Sequence, residues 1–433
     1  MSVQQTPPIP SDNVHSLPVA AGWRRHSAFW VVTFAFLIVM ASATLPGPLY
    51  GLYRIRDNLS AFTITIVYAI YAAGTIAALL SVRFVAARIG RRGVMLAAVA
   101  TMMAGVVLLA AWKALPGLLV GRFVTGVAVG LASGTAITYL MELRAREGAS
   151  ALVIRARNIG TAVSVGGLGI GPLIAGFLAE WVKHPLTLPY LVFVALGAIS
   201  LIGLATAPET GTPAPAAGAR SEASAPSRSV RVLVPGALTT LAAFAANGLF
   251  AGLSGLFLAT TLHHPSHALS GATLFLVFSS GVASQLATNR LQASRVFVLG
   301  TISMLTGLAL LVTSVRLSTP SLALFLVGGA LIGAGAGAVF KGTTGLVLEA
   351  TAPENRLAMT SDLLIALFVG LSIPVIGAGV ALDRGASAPD TVLGFAILVG
   401  LGVAGAGALL GHALKSAQRP ASASSIKTPN TSI

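Results

Sequence analysis

Apolar residues in this chain neither alternate nor keep to one stripe of a helix. They gather into runs of about 20, the length of helix needed to cross a hydrocarbon core of roughly 30 Å. Twelve such runs fall near residues 28–48, 61–82, 94–111, 117–141, 159–181, 189–207, 233–260, 271–288, 296–315, 321–348, 362–382 and 391–413, parted by short clusters of Arg, Gly, Pro and Ser. They are too long for barrel strands. Lipid offers the backbone no hydrogen-bond partner, so each run must satisfy its own amides as a helix. The pattern predicts an all-α membrane protein with twelve transmembrane helices and the lipid bilayer as its solvent.

Composition agrees. Of the 433 residues, 55% are hydrophobic and 9% charged, which is more apolar surface than a soluble domain hides. The first run follows Arg24 and Arg25 and ends at "ASA" (Ala41 to Ala43), the outline of a signal-peptide cleavage site. Retention is the expectation, because removal leaves eleven spans and breaks the repeat described below. Cysteine is absent, so there is no disulfide framework and no thiol chemistry.

The formal charge of +15 suggests nucleic acid, but its distribution excludes that partner. With an even number of spans both termini share a face, and alternate loops can be tallied. Nineteen Lys and Arg residues fall on the face of the termini and six on the other; the two left over, Arg122 and Lys341, lie inside runs. Such a bias marks the cytoplasmic side. It predicts a multi-pass protein of the plasma membrane (the bacterial inner membrane) with both termini cytoplasmic.

The chain also repeats itself. After "PET" (Pro208 to Thr210) comes "GTPAPAAGARSEASAPSRSVR", an Ala-, Pro- and Ser-rich stretch of linker composition. It divides the chain into a tail (1–27), a six-helix bundle (28–208), a cytoplasmic linker (209–231), a second six-helix bundle (232–413) and a tail (414–433). The Pro- and Ser-rich ends of the tails, 1–22 and 416–433, are expected to lack structure. "LSAFTITIVYAIYAAG" opens the second span and "LSGATLFLVFSSGVAS" the eighth, so Ser60 and Ser270 are each expected to cap a helix. "IGPLIAG" in the fifth span answers "SIPVIGAG" in the eleventh, matching Pro172 with Pro374. In the fourth span Arg122, Gly126, Gly130 and Gly134 stand four apart; in the tenth, Gly329, Gly333, Gly337 and Lys341 do the same, and a shift of 207 superimposes the glycine rows. Small residues four apart form a ridge against which another backbone can close. The expected fold is therefore two pseudo-symmetric six-helix bundles.

These features together resemble the major facilitator superfamily, over about residues 28–413. After the second span that family carries a Gly-x-x-x-Asp-Arg-x-Gly-Arg-Arg loop; in "RFVAARIGRRG" the residues Arg88, Gly90, Arg91 and Arg92 fit, while Arg83 and Ala87 replace the first Gly and the Asp. "GRFVTGVAVG" looks like the family's membrane arginine motif, falling on Arg122. "GLGIGPLIAG" looks like the helix-packing motif of its exporters, falling on Gly167, Gly171, Pro172 and Gly176. The resemblance implies alternating access to a central cavity as the two bundles rock, and no enzyme chemistry or cofactor. It also implies that the loop's acid steadies the inward-closed state; with Ala87 in its place, Asp362 at the start of the eleventh span is expected either to pair with Arg88 or Arg91 or simply to cap its helix.

Pro172 frees the carbonyl of Leu168 and bends the fifth span. Gly167, Gly171 and Gly176 are expected to pack that span on the other half, against the eighth. Ionisable residues inside a membrane are functional candidates, so Arg122 and Lys341 are placed in the substrate or proton pathway, with snorkelling to an interface as the alternative. Asn247, Gln285, Tyr68 and Tyr71 are candidates to line the same cavity or to make interhelical hydrogen bonds. All twelve acidic residues fall in loops, tails or helix ends, which suits a neutral or anionic substrate better than a cation. "HHPSH" (His263 to His267) has no acidic or cysteine neighbour in sequence and reads as a loop, so no metal is expected. The functional expectation is proton-coupled efflux of a small organic molecule by a monomer. The alternatives are import of an organic anion and, from another class, a non-transporting sensor or lipid-handling protein.

Overall fold

The computed structural model describes residues 19–145, 150–210 and 226–418; most of the tails and of the linker lie outside the described residues, but residues 19–22 and 416–418, expected to lack structure, are helical, at the start of the first helix and the end of the last. The first run does not make one helix. α1 (Val19–Thr44) stops at "LPGPL", turns through a 3-10 segment (Gly47–Leu49) and resumes as α2 (Tyr50–Asp57). Pro46 and Pro48 bring no amide hydrogen, so a helical ladder cannot run through them. Asn58 closes α2 in the left-handed region, and Ser60 caps α3 (Ala61–Ala111) by accepting from the Thr63 amide at 3.1 Å.

α3 carries the second and third spans, broken only at Gly90, whose φ of 71° is open to glycine at little cost. The fourth span is α4 (Leu115–Ser133) and α5 (Ala136–Ala145), interrupted at Gly134 and Thr135. α6 (Ser150–Trp181) and α7 (Leu188–Thr206) complete the amino half. The carboxyl half runs α8 (Pro226–Thr260), α9 (His267–Ala287), α10 (Ala293–Arg316), α11 (Leu322–Glu349), α12 (Arg356–Asp383) and α13 (Ala388–Gln418). Twelve segments among the described residues are long and apolar enough to cross a membrane, and each overlaps one run of the sequence. Large side chains such as Ile202 (71% exposed) and Leu401 (70% exposed) point outward, as a lipid-wetted surface requires.

Several boundaries shift from expectation. α9 starts a turn early, capped by Ser266, so Ser270 is an interior residue whose hydroxyl has no partner. α12 starts at Arg356, so Asp362 sits in its second turn and does not cap it. Residues 226–231 of the expected linker open α8.

The glycine rows do make close approaches. A Cβ on Gly126 would land on the Tyr71 carbonyl and one on Gly130 on the Thr75 carbonyl, seating α4 on the first part of α3; Thr75 Oγ1 returns a hydrogen bond to Gly126 O at 3.0 Å. In the carboxyl half Gly333 meets the Val277 carbonyl and Gly337 that of Gly281, seating α11 on α9. Val277 corresponds to Val67 in the repeat, one turn before Tyr71. The two ridges therefore pack one helical turn out of step, and the place beside Val67 held by Arg122 is held beside Val277 by Gly333. Between the halves, α3 packs on α12 and α6 on α9.

Gly126→Ala and Gly333→Ala are expected to cost about 1–3 kcal/mol each, because the added methyl meets a backbone that cannot swing aside. Gly405→Ala, with nothing within 4 Å of the new carbon, is the control. Thermal unfolding of the detergent-purified protein checks it: the first two melt lower than the parent, the third does not.

Candidate functional site

The break in the first span creates the site. A helix that stops leaves the carbonyls of its last turn without amide partners and concentrates negative partial charge there. Arg122 on α4 is completely buried, 0% exposed, and turns its guanidinium to that end. Its Nη1 donates to Ala43 O (2.5 Å), Nη2 to Tyr68 O (3.2 Å) and Nε to Val67 O (3.4 Å). The same group lies 4.6 Å from the Tyr71 ring centroid and 5.9 Å from that of Tyr68. No carboxylate is among its partners. Carbonyl dipoles and aromatic faces hold the charge instead, a task suited to the planar fork of arginine and to cation–π attraction.

One residue further along, Thr44 Oγ1 donates to Leu168 O at 2.6 Å. This is the carbonyl that Pro172 deprives of its helical partner, so the end of α1 repairs the proline break in α6. The glycines of α6 then divide. Gly167 would bring a Cβ within 2.6 Å of Met40 Cβ, and Gly171 would place one on the Ala41 carbonyl, both on α1. Gly176 meets the His267 carbonyl and Gly271, and a Cβ on Gly169 would lie 3.2 Å from Phe275 Cα, both on α9. The expectation that Gly167 and Gly171 face the eighth span is thus corrected. At about 100° per residue, positions 167 and 171 share one side of the helix and 169 and 176 the other, so α6 is small on two faces and is clamped between α1 and α9.

Tyr68 and Tyr71 do join Arg122, and Tyr50 joins them. All three phenol oxygens are buried and bond to no carbonyl or carboxylate of the chain, so they are available to water or to a bound molecule. The cluster sits where the halves meet. Tyr71 stands edge-on to Phe368 of α12 at 6.3 Å, and a Cβ on Gly252 of α8 would lie 3.5 Å from the Tyr68 ring. Asn247 Oδ1 and Ser372 Oγ, on α8 and α12, are also buried, and unpartnered. These two helices are drawn together there, where a Cβ on Gly248 would land on the Leu371 carbonyl.

Lys341 lies elsewhere. Its Nζ donates to Gln285 O (2.5 Å), Asn289 Oδ1 (2.7 Å) and Thr288 Oγ1 (3.3 Å), the last turn of α9 and the residues just beyond it. It closes the end of α9 as Arg122 closes the end of α1, but at the face of the termini, so the two cations do not share one chamber. Gln285 joins Lys341 through its backbone, while its side-chain Nε2 is buried without a partner.

At the same face, Glu209 accepts from the amides of Arg91 (2.9 Å) and Arg92 (3.1 Å), and a Cβ on Gly90 would lie 2.7 Å from its Oε2. Arg91 Nε pairs with Glu142 at 2.7 Å. The first residues of the expected linker are therefore anchored to the loop after the second span. Arg88 and Asp362 are both exposed and Asp362 is paired with neither Arg88 nor Arg91; Glu142, two turns into α5, takes Arg91 instead. Around "HHPSH", no cluster of metal-ligand size occurs among the described residues. An acid does arrive there from α6, Glu180, and it binds backbone amides. Sequence proximity gave no sign of it.

The profile of the Major Facilitator Superfamily matches residues 32–356. No curated protein sequence matches. The fold is similar to the crystal structure of a D-xylose–proton symporter, with a TM-score of 0.71 and 16% identity over 89% of this chain and 97% of that one. It is also similar to that of a mutant of the nucleoside transporter NupG, with a TM-score of 0.67 and 13% identity over 91% of this chain and all of that one.

Thr44→Val leaves the Leu168 carbonyl unpaired and is expected to cost about 1–2 kcal/mol. Pro172→Ala restores an amide to that carbonyl, so the cost of Thr44→Val should shrink in its presence. A double-mutant cycle on unfolding free energy reads this; additive effects would show that the two residues do not share the carbonyl.

Proposed function

Since the chain belongs to the major facilitator superfamily and is a transporter rather than an enzyme, we propose that it exports a small neutral or anionic organic molecule by alternating access, with protons moving the opposite way. The observation that carries the substrate class is the buried Arg122 held among phenols with no carboxylate. A cation entering this cluster meets the guanidinium at low dielectric and finds no counter-charge. A carboxylate, or a neutral molecule rich in hydrogen-bonding groups, finds the Tyr50, Tyr68 and Tyr71 hydroxyls and, alongside, Asn247 and Ser372.

The chain lies in a bacterial inner membrane as a monomer, with its termini in the cytoplasm, a reading supported by the nineteen-to-six bias of basic residues. Its two six-helix bundles, 28–208 and 232–413, rock about the cluster. Arg122 ties α1 to α3 and α4, and Thr44 ties α1 to α6, so the break in the first span and the bend at Pro172 move as one body. The fifth-span glycines, shared between α1 and α9, let that body slide on the other half without side chains in the way; this favours the exporter reading. Import of an organic anion, the second reading, is favoured by the same carboxylate-free cluster and differs in the direction of the substrate, which then moves inward together with the protons.

Uptake into inverted vesicles with an acidic lumen tests both, with anions, neutral compounds and cations screened in separate pools. Export predicts uptake of anionic or neutral compounds that stops when the gradient is dissipated. Uptake confined to cations, or indifferent to the gradient, overturns the reading. Arg122→Ala should lower the rate at least about tenfold and Arg122→Lys by less, since lysine keeps the charge but not the three-way fork.

A further inference from the structure

We propose that Glu180 and Asp383 are the gating residues of the outer mouth: each carboxylate reaches across between the halves to cap the first amides of a helix on the other side, and the mouth opens only when both let go. Glu180, at the end of α6, accepts through Oε2 from the amides of His267 (2.7 Å) and Ala268 (3.1 Å) and from Ser266 Oγ (3.2 Å) at the start of α9. Asp383, at the end of α12, accepts through Oδ1 from the amide of Ala61 (3.0 Å) at the start of α3. A carboxylate at a helix N-terminus satisfies an otherwise free amide and meets the positive end of the dipole.

The two latches are one device used twice. Four residues before each acid stands a glycine, in "GFLAE" (Gly176 to Glu180) and "GVALD" (Gly379 to Asp383), and a shift of 203 superimposes both members of each pair. The glycine is the point of closest approach below the acid. A Cβ on Gly176 would land on the His267 carbonyl, and one on Gly379 on Thr65 Oγ1. So α6 meets α9 backbone to backbone, and α12 meets α3 at the Thr65 side chain, each at a glycine with a charged cap one turn above it. Both junctions lie at the face away from the termini, where His267 Nδ1 also stands 3.3 Å from Pro48 O of the broken first span. The acids absent from the middle of the membrane are thus spent at its edge, on holding the two halves together.

The proposal rests on alternating access, but its test reads the mouth itself and needs no substrate. Ile64, 4% exposed, lines a cleft of ≈ 160 Å³ between α2, α3 and α8 at this face. The chain has no cysteine, so Ile64→Cys is a sole reporter for a membrane-impermeant maleimide added to intact cells. In that background Glu180→Gln and Asp383→Asn should each raise the labelling rate about fivefold, the effect of one or two exposed charged hydrogen bonds, and the pair together should raise it further. Asp390→Asn is the control: it breaks an ion pair with Arg316 at 2.5 Å on the same face but inside one half, and labelling should not change. Ser266→Ala, which removes one donor from Glu180 together with the cap of α9 but no charge, gives a smaller rise and serves if a charge-removing variant does not fold. Labelling at the parental rate in the variants that fold, or an equal rise in Asp390→Asn, overturns the proposal. Failure of vesicle transport with this result intact would instead count against the substrate reading.

Discussion

The guanidinium of Arg122 is what lets the first span stop inside a membrane. A helix end in hydrocarbon leaves carbonyls with neither amide nor water, at several kcal/mol each. Two prolines in "LPGPL" enforce the stop at Thr44. The cost is contained because one buried cation, itself in need of acceptors, meets the end of α1 and two carbonyls of α3, while the adjacent Thr44 hydroxyl serves Leu168. Each group solves the other's problem. The break, the cation and the Pro172 bend are therefore one structural unit spread over four helices, and a change in any of them is felt in all.

Among the described residues the carboxyl half has no such unit. Gly333 takes the place that Arg122 holds in the amino half, and Lys341 lies two turns beyond it on α11, at the end of α9. Internal symmetry has kept the small-residue contacts and dropped the deep charge. A single buried cation in one half gives the central cluster a polarity that two mirrored ones would cancel, and it places the phenols of Tyr50, Tyr68 and Tyr71 on one wall, facing the apolar Phe368 and the Gly252 backbone on the other.

Contacts between the halves follow a different economy. Where helices must stay packed for good, as α4 on α3, glycine meets carbonyl along several turns. Between the halves glycine also meets backbone, as Gly176 does at His267 and Gly271 at Pro172, but the ends are held by carboxylates on helix amides, bonds that water can replace at modest cost. The loop that joins the second and third spans is governed by the same logic within one half: Gly90 opens space for Glu209, and Arg91 is kept by Glu142, so that face is braced inside the amino half and not by Asp362.

Length and apolarity of the runs determined the twelve spans, because both answer to the solvent along one stretch of chain. Glycine spacing likewise revealed which helix sides are smooth. It could not say what lies against them: a bare ridge fits any backbone, and only the fold sent Gly167 and Gly171 to α1 while Gly176 went to α9. Register was equally hidden, since the 207 shift aligned the glycine rows by spacing while packing offset them by a turn. Glu180 and Asp383 stood in a legible repeat, "GFLAE" and "GVALD", yet looked like solvated helix ends. Hydropathy is a local property, but a partner for a freed carbonyl or a free amide is chosen by whichever distant residue arrives within 3 Å, and that is settled in three dimensions alone.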